Sequence, residues 1–123
     1  MTEEQVLKHK QFDLEERTLE FAKRIRVFCR NLPKTISNYE DIRQLVRSSG
    51  SIGANYVEAN ESFSKKDFCL RVKISRKEAK ETIYWLSLVS TSQNKELETE
   101  RVVLIREATE LMKILGAIIE KTK

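Results

Sequence analysis

Apolar residues recur every three to four positions along most of this chain, the period of helices that bury one face. Leu14, Thr18, Phe21, Ala22, Ile25, Phe28, Cys29 and Leu32 form the first series. Asp13 followed by Glu16 reads as an N-cap with its capping-box partner, so the spacing predicts a helix from about Leu14 to Leu32. Pro33 disfavours helical geometry at the preceding residue and ends it. Ser37 with Glu40 repeats the capping signature, and Ile42, Leu45, Val46, Ser49, Ile52, Gly53, Tyr56 and Asn60 mark the inward face of a second helix. Ser64 with Asp67 opens a third, reaching about Ser90, and Leu97, Arg101, Leu104, Ile105, Ala108, Leu111, Met112, Leu115, Ile118 and Ile119 supply a fourth. Four helices with short connections pack most simply as an up-down-up-down antiparallel four-helix bundle, an all-α fold. The chain reads as a single domain, residues 1–123, in which the weakly periodic residues 1–12 form an arm or an extra turn.

The third helix differs from its neighbours in being apolar on two sides. Phe68, Val72, Ser75, Ala79, Ile83, Leu86 and Val89 make one stripe, suited to the core. Leu70, Ile74, Tyr84, Trp85 and Leu88 make another about half a turn away, which a soluble monomer would leave in water. The second stripe is therefore expected at a subunit interface of a homo-oligomer. On the second helix, Gly50, Ser51, Ala54 and Asn55 cluster away from the main apolar face, where small residues let another helix approach closely. A phosphate-binding loop is the other use of such residues, but no GxGxxG, no Gly-Lys-Ser/Thr and no preceding strand accompanies them.

Composition agrees with helices: three glycines and one proline leave little material for the turns of an all-β protein. The amino terminus is too polar for a signal peptide and the longest apolar runs, such as 102–105, are too short to span a bilayer, so a soluble cytoplasmic protein is expected. Cys29 and Cys69 are not spaced as a CxxC pair and read as reduced thiols inside helices.

Charge adds one feature. Residues 64–92 carry seven basic and three acidic side chains, an excess equal to the whole net charge of +4. Lys66, Lys73, Arg76, Lys77 and Lys80 fall within an arc of about 100° on the third helix, beside its second apolar stripe. Such a stripe is a solvated face or a contact for phosphates.

Catalytic chemistry has little to stand on. The single histidine, His9, lies in the least patterned segment with no Cys or carboxylate at ligand spacing, and reads as solvent-exposed. Glu58, Asp67, Glu78 and Glu81 suggest a carboxylate site between helices two and three, but the Glu-x-x-His pairs of di-iron bundles are missing, and ion pairing or capping accounts for them. The reading is not an enzyme, with no catalytic residues, no metal and no cofactor. Tyr84 and Trp85 suit either base stacking beside a basic groove or, more simply, subunit packing.

Residues 48–59 (SSGSIGANYVEA), 64–68 (SKKDF) and 77–86 (KEAKETIYWL) together resemble the bacterial four-helix-bundle family encoded in 23S ribosomal RNA intervening sequences. Ala59 stands where many relatives have glycine. The resemblance implies a cytoplasmic bundle that assembles into a ring, a pentamer, and it extends distantly to the accessory protein of diversity-generating retroelements, a basic pentameric barrel that binds nucleic acid and a reverse transcriptase. The function expected is binding of RNA or DNA through Lys66, Lys73, Arg76, Lys77 and Lys80. The alternative is a protein–protein adaptor or scaffold, for example for a polymerase or reverse transcriptase.

Overall fold

The computed structural model describes residues 2–123, except for the side chains of residues 4–12, and so His9 lies outside the described side chains. Four helices make up the described chain, and no strand occurs among the described residues: α1 Glu3–Arg30, α2 Ile36–Asn60, α3 Lys65–Leu88 and α4 Lys95–Lys121. The all-α four-helix fold expected from the periodicity is the one observed.

Contacts along each pair of helices run in opposite directions, which gives the antiparallel order. Arg17 and Arg24 of α1 meet Glu107 and Glu100 of α4. Ser48 and Ile52 of α2 meet Thr82 and Ser75 of α3. Cys69 near the start of α3 meets Thr122 just past the end of α4, and Arg101 near the start of α4 reaches carbonyls at the end of α3. The core between the helices is formed by Phe21, Ile25, Phe28, Leu45, Ile52, Val72, Ala79, Leu86, Leu104, Leu111 and Leu115, among others, all nearly inaccessible to water.

Helix starts depart from expectation at two places. α1 begins at Glu3, so Asp13 sits inside the helix rather than capping it. The N-cap of α2 is Thr35, whose Oγ1 accepts from the Asn38 N–H at 3.1 Å, and Ser37 lies within the first turn. Asn38 explains the earlier start. Its amide donates to Pro33 O at 3.0 Å and Ser90 O at 2.8 Å and accepts from Ser90 N–H at 2.9 Å, holding the first turn of α2 against the segment that follows α3. α4 is capped by Asn94, which accepts from the Leu97 N–H. Ser64 caps α3 as expected, through the Asp67 N–H.

The small residues of α2 do not serve one close contact. α1 crosses nearest at Gly53, beneath Thr18, while Gly50 lies under the Arg26 guanidinium. Ala54 lines an open groove between α1 and α2. Asn55 turns toward α3, where the Arg71 guanidinium donates to its Oδ1 at 3.2 Å. The seam of α2 against α3 is instead polar and small: Ser75 Oγ donates to Ile52 O at 2.6 Å, and Thr82 Oγ1 bonds to Ser48 Oγ at 2.9 Å. Each buried hydroxyl thus has a partner, as a water-excluding contact requires.

Candidate nucleic-acid interface

Helical spacing turns one edge of α3 toward α4 and the other toward α2, and the two edges carry different chemistry. On the α4 edge, Lys73, Arg76, Lys77 and Lys80 line a groove of about 530 Å³ together with Met112, Ile119, Glu120 and Lys123 of the facing helix and its end. Gly116 of α4 opens the groove to the Arg76 side chain, whose Nε and Cζ lie 3.7 Å from where a β-carbon would stand. Lys66, two turns before Lys73, is exposed on the same helix but does not line this groove. Lys123 was not among the residues singled out by charge pattern, because its contribution depends on how α4 docks rather than on spacing along α3.

These cations differ from the structural ones. Arg17 holds Glu107 at 2.7 and 2.8 Å and Arg24 holds Glu100 at 2.8 Å through two nitrogens each, a forked geometry that satisfies both partners. Those hydrogen bonds raise the guanidinium pKa values, so the arginines stay charged and committed. Among the described residues, Lys66, Lys73, Arg76, Lys77 and Lys80 are all exposed and none forms an ion pair or side-chain hydrogen bond. One groove acid, Glu120, is held by Lys123 at 2.9 Å.

The α2 edge carries the second apolar stripe. Leu70 and Leu88 are about half exposed and Ile74 and Trp85 are partly covered, while Tyr84, 61% exposed, stands by helical spacing between this edge and the basic one. The stripe is interrupted. Arg47 of α2 reaches across to Glu78 at 3.3 Å and Glu81 at 3.0 Å, setting a charged cluster between Ile74 and Trp85. Glu78, only 8% exposed, is the member that periodicity did not reveal as buried. Burial pushes its carboxyl up from the usual range, and Glu81 adds to this while Arg47 opposes it. Of the four carboxylates considered as a site, Glu78 and Glu81 come together, and their partner is an arginine from the neighbouring helix. No three His, Cys, Asp or Glu side chains converge to hold a metal among the described residues.

Trp85 and Tyr84 pack edge to face, ring centres 5.0 Å apart at 86°. The Trp85 indole N–H is shielded from water and has no hydrogen-bond partner in the chain. Both thiols are free; Cys29 is buried and its pKa is pushed up to about 11 by that burial, which leaves it unreactive. No described helix is long and apolar enough to cross a membrane.

The fold and sequence agree with known proteins. A crystal structure of a protein of unknown function from the S23 ribosomal protein family of Bacteroides thetaiotaomicron VPI-5482 superposes with a TM-score of 0.74. It is 34% identical to this chain, over 86% of this chain and 97% of its own length. No curated protein matches in sequence. The family model described as 23S rRNA-intervening sequence protein matches residues 10–117. Taken with the four helices and the motifs of α2 and α3, this match establishes that the chain belongs to the family of 23S rRNA-intervening sequence proteins.

Proposed function

We propose that this protein is a non-enzymatic, oligomeric protein of the cytoplasm that binds RNA or DNA by its phosphates along the α3–α4 groove. The observation that carries the reading is the contrast between committed and uncommitted cations. Arginines facing α4 and α3 are neutralised by carboxylates, whereas Lys73, Arg76, Lys77 and Lys80 converge on one groove with no carboxylate in ion-pair contact among the described residues, the groove's one acid, Glu120, being held by Lys123. Like charges gathered this way attract a polyanion without needing a base code.

Assembly strengthens the field. The apolar edge formed by Leu70, Ile74, Trp85 and Leu88, with Leu70 and Leu88 about half exposed, supports a contact with another subunit. In the five-membered ring that the family resemblance implies, a charge of +4 per chain becomes roughly +20 per particle.

The test is a binding titration at two salt concentrations. Because phosphate contacts release counterions, log affinity for single strands falls with log salt at about −0.7 per neutralised phosphate. The Lys73→Glu, Lys77→Glu, Lys80→Glu triple variant loses binding to unrelated sequences while helicity and subunit number hold. Equal affinity of wild type and variant removes the groove from the mechanism. Absence of wild-type binding at low salt leaves the adaptor reading, in which the apolar edge of α3 meets a different protein such as a polymerase.

A further inference from the structure

We infer that the strand is held single-stranded, with one unpaired base stacked on Tyr84; this rests on the reading of the α3–α4 groove as a phosphate track. Tyr84 follows Lys80 by four residues and Lys77 by seven, so it continues the same face of α3 one turn beyond the last groove cation. Four residues of helix rise correspond to about 6 Å, within the reach of a nucleotide whose phosphate lies at Lys80. At 61% exposure the phenol ring offers a large aromatic surface to solvent. The ring is also positioned. Its edge-to-face contact with Trp85, itself partly covered beside α2, holds it at 86° to the indole instead of leaving it free to sweep the surface.

A basic groove ending in an oriented aromatic ring is the combination that binds single strands, since every base has a face to stack and the groove follows the backbone. A duplex satisfies only half of it. Its bases are already stacked on one another, so it meets the cations but has no base to give to Tyr84.

The experiment compares a fluorescein-labelled 20-nucleotide RNA of mixed sequence with the same strand annealed to its complement, and repeats both as DNA. Wild type binds the single strand more tightly, and binding quenches the fluorescence of Trp85, the only tryptophan. Tyr84→Ala lowers single-strand affinity roughly 5- to 150-fold, the range for loss of one stacked base, and leaves duplex affinity and subunit number unchanged. Tyr84→Phe, which keeps the ring, retains single-strand affinity. Equal loss for both probes with a changed subunit number overturns the inference in favour of a subunit contact at Tyr84. Unchanged single-strand affinity in Tyr84→Ala overturns it while the phosphate groove stands. Failure of the wild type to bind either probe overturns both.

Discussion

Thr18 of α1 stands so close to Gly53 of α2 that a β-carbon on the glycine would lie 2.7 Å from Oγ1 and 3.1 Å from Cβ. Thr18 is buried and its hydroxyl donates to Glu15 O at 2.9 Å, so the side chain has little room to yield. At Gly50 the nearest group is the end of Arg26, at an ordinary 3.5 Å. The two glycines therefore predict opposite signs. Gly50→Ala stabilises the protein by up to about 1 kcal/mol, the helix-propensity gain. At Gly53 that gain is outweighed by overpacking, which costs about 1–3 kcal/mol, so Gly53→Ala is the less stable variant. Urea unfolding of both checks the pair, and a stabilised Gly53→Ala would contradict the close approach.

The buried Glu78 makes a pH-dependent contribution. Burial raises its native pKa above the unfolded value of 4.5, so the native state binds the proton more tightly. The penalty of ionising it is absent below the unfolded pKa and fully present above the native one. Glu98 has the opposite sign: hydrogen bonds from Arg101 and Thr91 lower its pKa, and its stabilisation is lost as pH falls through that lowered value. Thermal unfolding from about pH 3 to pH 7 separates them. Glu78→Gln removes a loss of stability on raising pH, and Glu98→Gln removes a loss on lowering it. A Glu78→Gln profile parallel to wild type would refute the assignment.

Asn38→Ala breaks the three bonds to Pro33 and Ser90. Water reaches part of this region because Ser90 is exposed, which holds the expected cost to about 1–3 kcal/mol. The far-ultraviolet signal per folded molecule stays helical, and the midpoint of denaturation falls. An unchanged midpoint would show that the linkers hold without it.

Trp85→Glu places a carboxylate in the apolar edge of α3, beside Glu81 and Tyr84 on the same helix. Light scattering is expected to show an oligomer for the wild type and a smaller species for this variant. A wild-type monomer over a wide concentration range would remove the contact.

How much the sequence disclosed depended on which force set each feature. Burial of one helix face has a period, so the core residues of all four helices were legible, from Phe21 and Ile25 to Leu111 and Leu115. The extent of α1 before Leu14 was not, since a stretch rich in Glu, Gln and Lys is carried by intrinsic propensity and shows no apolar face. Ser37 carried the capping signature, yet Thr35 is the cap, and the bond from Asn38 to Ser90, 52 residues away, holds that earlier start. At the groove, spacing along α3 disclosed the cations of that helix. Lys123, the gap at Gly116 and the burial of Glu78 depend on which neighbour faces which edge, and local periodicity carries no record of that.

Asn38 also gives the bundle a polarity of opening. Through one amide it joins the linker before α2 to the linker after α3, and Arg101 adds bonds to Leu86 O at 3.1 Å and Val89 O at 2.6 Å at that same pole. The opposite pole has the hairpin of residues 61–64, with Phe63 fully exposed and α3 held by the Ser64 cap. Amide exchange should therefore begin at the hairpin and reach residues 86–90 last. The same asymmetry marks where the chain tolerates added length: residues inserted at 62–63 lengthen a loop, whereas residues inserted at 90–91 pull Ser90 from Asn38 and unfasten two linkers at once.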